Sequence, residues 1–391
     1  MQLATGESAV TGLSRQTQAA VSPSFEGHPR PLPGSPAASS AGSQAGRAAS
    51  AVSLGSLYLG GCFGFALLYA LAVYLVNPIR DFASPSPFPA VRSDYRAEKI
   101  DLFERFLTAA GPASGIVLGS SRSMLINGER LRAQTGLSYF NFGLASAKAE
   151  DFLAALRWVT RRQGQTPRQV IIGVDVESLR DAQAHGDSMH PLRELATGPE
   201  PLTSYARAIA GRIFTWSYAR DTAFSIYLSV RPRPAAVQFA PDGTLQYALR
   251  DTQRRAGSFS LETGMAGCIA DCRRKIESTH HLSMTQIRYL HETVQEATAA
   301  GGQITLWLTG PHPRTVAHMA DGTSYSQLVE EARILLRSLE RPNVVALDLH
   351  DEQSYGGDSA SWYDCNHFDD TIAVRVERVL VGGSRREGGG D

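Results

Sequence analysis

Hydrophobic and polar positions divide the chain into distinct stretches. From Ala48 to Ile79 no charged residue occurs, and the apolar heart runs from Leu54 to Val76 as LGSLYLGGCFGFALLYALAVYLV. At 1.5 Å per residue, this length crosses roughly 30 Å of hydrocarbon. A buried core helix of that length would keep a polar face, which this stretch lacks. The pattern predicts one transmembrane helix over 51–77. The proline-rich segment that follows, NPIRDFASPSPFPAVRSDYR, reads as a stalk over 78–97.

Beyond the stalk, apolar runs alternate with helical periodicities. KIDLFERFLTAAG sets Ile100, Phe103, Phe106 and Leu107 at helical spacing, and GIVLG follows as a short buried strand. A short helical stretch leads to LSYFNFG, a second strand. AKAEDFLAALRWVTRRQG carries Phe152, Leu153, Leu156 and Val159 on one face and stops at Gly164. RQVIIGVD is a third strand. Residues 180–281 interrupt the alternation and read as an insertion over one end of the sheet, with a Pro-Asp-Gly turn and helices around Tyr205 to Tyr227. The alternation resumes with a helix containing Ile287, Leu290 and Val294. Then come the strand QITLWLTG, a helix from Tyr325 to Leu339, the strand NVVALDL and a last helix in DDTIAVRVERVL. Such alternation predicts an α/β fold with about five parallel strands covered on both faces, and working groups beyond the carboxyl ends of the strands.

Composition adds two constraints. The 391 residues carry no formal net charge, which gives no reason for bulk attraction to nucleic acid. Residues 1–50 are rich in Ala, Ser, Gly, Pro and Gln, with Phe25 as the only aromatic, so a disordered tail is expected there and a shorter one over 383–391. About fifty residues ahead of the span are unlike a signal peptide, and an uncleaved anchor is expected. Basic residues flank the span on both sides (Arg15, Arg30 and Arg47 before it; Arg80, Arg92, Arg96 and Lys99 after it), so charge does not choose an orientation. Cys268 and Cys272 would share a helical face, and the spacing leaves open whether they pair. No partnered ligand set for zinc accompanies them.

Candidate chemistry gathers at the predicted strand ends. Gly119, Ser120, Ser121 and Arg122 follow the first strand. Asn141 and Gly143 lie at the second, and Gly173 and Asp175 at the third. Asp364 and His367 stand three apart in WYDCNHF, past the fifth. A serine hydroxyl is a poor nucleophile until a base takes its proton. His367 is the expected base for Ser121, with Asp364 fixing its tautomer and stabilising the imidazolium. Arg122, beside the nucleophile, suits either an anionic substrate group or a structural ion pair. His312, after the fourth strand, could line the same cleft or simply belong to its loop. His350 is a weaker competitor for the role of base, and Asp175 with Glu177 lacks the histidines of a metal site.

This set resembles the SGNH/GDSL hydrolase superfamily. Gly119-Ser120-Ser121 is similar to its Gly-Asp-Ser block, Asn141-Phe142-Gly143 to its Asn-x-Gly block, and Asp364-Cys365-Asn366-His367 to its Asp-x-x-His block. The usual Gly-x-Asn-Asp block reads Gly173-Val174-Asp175-Val176, so the donor asparagine is missing. The resemblance implies a flavodoxin-like three-layer sandwich over 98–382, preceded by the transmembrane helix. It also implies an oxyanion hole with the Gly143 N–H among its donors, beside that of Ser121; our own expectation is that Arg122 or Asn141 compensates for the lost donor. It is closest to membrane-anchored members that work on envelope polymers, the D-alanyl-lipoteichoic-acid biosynthesis and alginate O-acetylation proteins. By that resemblance the chain is a single-pass inner or plasma membrane protein with its large domain outside the cytoplasm. It would be a serine esterase or O-acyltransferase acting on a cell-envelope polysaccharide or lipid-linked glycan. No cofactor or metal is required, and a membrane-bound O-acyltransferase is the implied partner. The missing asparagine favours a competing expectation, a weak or inactive scaffold subunit of a polysaccharide biosynthesis or export complex.

Overall fold

The computed structural model describes residues 41–80, 82, 86–91, 95–181, 191–198, 202–231 and 237–385. The chain divides into two compact units, Met1–Phe63 and Gly64–Asp391. Helix α1 spans Ala41–Val76, so positions 41–50 are helical rather than part of a disordered tail; residues 1–40 lie outside the described residues. Within α1, Gly55–Val76 is long and apolar enough to cross a membrane, and only 11% of its most apolar window is buried.

The larger unit is built around a parallel sheet. Helix α2 (Arg96–Ala110) leads to β1 (Gly115–Gly119), α3 (Gly128–Thr135), β2 (Tyr139–Asn141), α4 (Ala149–Gln163) and β3 (Gln169–Val174). The insertion follows: α5 (Pro191–Thr197), α6 (Leu202–Ile213), α7 (Trp216–Val230), the two-residue strands β4 (Gln238–Phe239) and β5 (Leu245–Gln246), α8 (Ala248–Arg255) and α9 (Leu261–Glu277). The expected Pro-Asp-Gly turn joins β4 to β5, with Gly243 at φ 83°. The main fold resumes with α10 (Met284–Ala299), β6 (Gln303–Thr309), α11 (Pro313–Ala320), α12 (Tyr325–Ser338), β7 (Val344–Leu349) and α13 (Asp370–Arg385). The last helix absorbs 383–385 of the expected C-terminal tail, and 386–391 lie outside the described residues.

Five strands form the sheet in the order β2-β1-β3-β6-β7, all parallel. Alternate side chains serve opposite layers. Ile116, Leu118, Val170, Ile172, Ile304 and Leu306 pack with α2, α4, α10 and α12. Val117, Ile171 and Trp307 face the other way, with Leu131 of α3 and Ile372, Val376 and Leu380 of α13. Continuous apolar runs are what a sheet covered on both faces requires. After β2 the chain crosses to the other side of β1 to build β3. That switch opens a crevice at the carboxyl ends of β1 and β3, where ligands collect in such sheets.

The described part of the expected stalk is folded, not extended. Asn77 Nδ2 donates to Phe82 O (2.8 Å), Arg80 to Phe88 O (2.7 Å) and Ser86 Oγ to Val76 O (2.6 Å), turning the chain back on the end of α1.

Candidate active site

At the end of β1 the backbone turns sharply, and two glycines make room for the turn. Gly119 has φ +137°, and a Cβ there would lie 2.1 Å from Ser123 Oγ and 2.7 Å from Gly173 O. A Cβ on Gly173 would lie 1.9 Å from the same hydroxyl and 2.9 Å from Trp307 Nε1. Gly119→Ala therefore combines an unfavourable φ with overpacking and is expected to cost about 3 kcal/mol, read as a lowered urea midpoint. The turn closes with Ser123 N donating to Ser120 O (3.0 Å). Within it the two serines part company. The buried Ser120 hydroxyl donates to Asp175 Oδ2, whereas Ser121 is half-exposed.

Ser121 Oγ lies 2.8 Å from His367 Nε2 across 246 residues of sequence. His367 Nδ1 lies 2.8 and 3.0 Å from the two oxygens of Asp364. With Nδ1–H donating to the carboxylate, Nε2 is the acceptor and the serine hydroxyl the donor, the arrangement general-base catalysis needs. Asp364 also accepts from Arg250 (2.7 Å), Asn366 N (2.9 Å) and His367 N (2.9 Å). Burial alone would raise its pKa, but the His367 imidazole and the Arg250 guanidinium outweigh burial and hold the carboxyl well below the usual range. The Tyr247 ring, centred 5.7 Å from that of His367, and Arg250 over the Tyr247 ring at 4.8 Å brace the imidazole from the side of the insertion.

The other expected site residues sort differently. Asn141 is fully buried. Its Nδ2 donates to Ser123 O (2.8 Å) and Ile126 O (2.7 Å), and its Oδ1 accepts from Gly143 N (2.8 Å). Asn141 thus staples the turn that carries Ser121 and engages the Gly143 N–H, so neither is free to meet an oxyanion as arranged. The Ser121 N–H makes no hydrogen bond among the described residues. Asp175 lines the crevice but accepts at both oxygens, from Ser178 N (2.7 Å) and Ser120. Arg122, 4% exposed, is held by Glu177 (3.2 Å), Asn366 Oδ1 (2.9 Å) and Thr309 Oγ1 (3.3 Å), so the structural ion pair prevails; its Nε has no partner. Glu177 is consumed by this pairing, which counts against a metal role for it. Despite burial, the Arg122 guanidinium holds its carboxyl below the usual range.

His312 does not line the cleft. It caps α11 through Nδ1, which accepts from Arg314 N (3.1 Å); its Nε2 lies 3.1 Å from Ser359 O, and its ring meets Trp362 edge-on. Its backbone N–H does hold the loop that carries Asp364 and His367, donating to Cys365 O (3.0 Å). His350 faces a separate cavity with Pro311 and Tyr325, and burial lowers its pKa to about 4.

Three residues of the site were invisible in the sequence pattern. Arg250 comes from α8, and Lys148 and Arg180 frame the crevice. The cysteines also pair unexpectedly: Cys268 bonds Cys365, between Asp364 and Asn366, and Cys272 stays a thiol 3.6 Å from Cys365 Sγ. Burial pushes the Cys272 thiol up, favouring the protonated form.

The crevice beside Ser121 encloses about 270 Å³, lined by Ser120, Ser121, Arg122, Lys148, Asp175, Glu177 and Arg180, with Cys272, Lys275 and Asn366 at its sides. No protein-family model matches this chain, and no curated protein matches it.

Proposed function

We propose that this chain is a membrane-anchored serine esterase or O-acyltransferase acting on a cell-envelope polysaccharide or a lipid-linked glycan. The observation that carries the reading is the relay Ser121–His367–Asp364, with contacts of 2.8 Å at each step, opening on a crevice. Ser121 attacks the acyl carbonyl as His367 takes its proton. His367 then protonates the leaving alcohol, and water or a sugar hydroxyl accepts the acyl group from the serine. The free Ser121 N–H is one donor for the oxyanion. With Asn141 and Gly143 engaged on each other, the hole is poorer in donors than usual, which predicts modest turnover. A crevice of about 270 Å³ suits a short acyl group with its ester linkage better than a long chain. The apolar helix Gly55–Val76 supports a single-pass anchor in an inner or plasma membrane. By motif resemblance the domain lies outside the cytoplasm and receives acyl groups from a membrane-bound O-acyltransferase.

The crevice is also cationic. Arg180 is 8% exposed, its Nε has no hydrogen-bond partner, and Glu177 and Asp175 are its nearest opposing charges. A buried guanidinium with a donor left unsatisfied has room for an anionic ligand to complete it. Arg180→Ala is therefore expected to raise KM for an anionic ester about tenfold while leaving kcat and the KM of a neutral ester nearly unchanged, as steady-state kinetics on the two substrates would show.

A fluorophosphonate probe tests the assignment. The folded protein should label in membranes, and Ser121→Ala should not. Absence of label on folded wild-type protein would favour the scaffold reading, in which the fold persists without efficient chemistry.

A further inference from the structure

The relay makes no use of α6 and α7, which form a helical hairpin against the end of α1. Tyr69 Oη donates to Ile213 O (2.6 Å), and the Tyr69 and Phe214 rings lie 5.6 Å apart. Val73, Ile213 and Tyr218 form a small buried cluster with Tyr69 and Ala70 beside it. Tyr69 precedes Val76, the last residue of the apolar stretch, by seven positions, about 10 Å along the helix axis. Whatever packs on Tyr69 shares its depth. Yet at this corner Phe214 is 54% exposed and Trp216 83% exposed. Side chains of that kind, left open beside an apolar helix, fit lipid rather than water.

The hairpin also rises out of that depth. Ser225 Oγ on α7 donates to Pro89 O (2.6 Å), in the folded segment beyond α1. Its charges are lopsided: the sequence sets Arg207, Arg212, Arg220 and Arg231 against Asp221, which is 2% exposed and pairs with Arg220 (3.3 Å). A surplus of arginine on a hairpin with an exposed aromatic corner matches an anionic headgroup layer over acyl chains.

We propose that the α6–α7 corner is a second membrane element, one that dips into the bilayer without crossing it. Phe214 and Trp216 enter the acyl region of the leaflet in which α1 ends, and the arginines meet lipid phosphates. The proposal rests on α1 being a membrane span. It means the catalytic domain is held at two points, which fits the folded segment found in place of an extended stalk, and that the crevice keeps a fixed attitude to the membrane surface.

The test uses the full chain reconstituted in vesicles of phosphatidylcholine and phosphatidylglycerol, with or without acyl-brominated lipid. Trp158, Trp307 and Trp362 are common to both proteins, so the difference in emission between wild type and Trp216→Phe isolates Trp216. The expected result is that brominated lipid removes most of this difference emission while aqueous acrylamide removes little. Quenching by acrylamide and not by brominated lipid would overturn the hairpin proposal, and so would shielding from both. An alkaline carbonate wash separates the two claims. Extraction of the protein would overturn the span and the hairpin together, whereas retention with a lipid-insensitive Trp216 would overturn the hairpin alone.

Discussion

Ser121→Ala is expected to lower turnover of an acetyl ester by on the order of 10⁴-fold, with His367→Ala lowering it about as far and the double variant hardly further. The reason is geometric. On the proposed mechanism the hydroxyl is activated through His367 Nε2, which lies 2.8 Å away, so removing either partner removes the same function. What remains is the rate supported by binding and by the oxyanion donors. Ser120→Ala is the matched control. Its hydroxyl is turned away to Asp175, and its loss should change turnover by less than about tenfold, because it disturbs the floor of the crevice and not the proton path. Asp364→Asn should fall with the first group, since an amide favours the wrong imidazole tautomer. Steady-state kinetics on the four single variants and the double variant, with circular dichroism to verify folding, checks the pattern. Equal small losses at all four positions would contradict it.

Cys365→Ser is expected to destabilise the α/β domain by about 4 kcal/mol. The Cys268–Cys365 bond closes a loop with a sequence separation of 97, and on the chain-entropy argument a cross-link over that length stabilises by about that amount. The effect should reach the chemistry as well. Cys365 lies between Asp364 and Asn366, so freeing it loosens the segment that aims His367 at Ser121. Activity should therefore fall below wild type even at temperatures where the variant is folded. Wild-type protein treated with dithiothreitol should show the same shift in its urea midpoint. Cys268→Ser is a weaker test, because Cys272 Sγ, 3.6 Å from Cys365 Sγ, is placed to take over the bond. A Cys365→Ser midpoint equal to that of wild type would mean the bond is absent from the working protein.

Much of this architecture was legible in the sequence because it repeats locally. Runs such as Ile116-Val117-Leu118 and Val170-Ile171-Ile172 are apolar throughout, as strands covered on both faces must be, and Gly119 ends β1 where a side chain would strike Ser123 and Gly173. The relay was legible for a related reason: strand ends meet at one edge of a parallel sheet however far apart they lie in sequence. Pairing inside the insertion leaves no such trace. Arg250 reaches Asp364 across 114 residues, and nothing periodic in α8 announces it. The partner of Cys268 was equally hidden, since spacing alone favours the neighbour on the same helical face over a residue on a distant loop. Asn141 and Gly143 show a different limit. The motif identifies the position, but not whether the side chain and the N–H bond a ligand or each other. His312 carried a readable signal that was missed: a polar residue directly before Pro313 is a helix start, and there it caps α11.

The most direct measurement is to trap the acyl group. Full-length protein incubated with an aryl acetate, quenched in acid and digested, should yield one acetylated peptide, with the modification on Ser121 and absent from Ser121→Ala. Ester turnover with no acyl group on Ser121, or with the group on Ser120 or Ser123 instead, would contradict the relay.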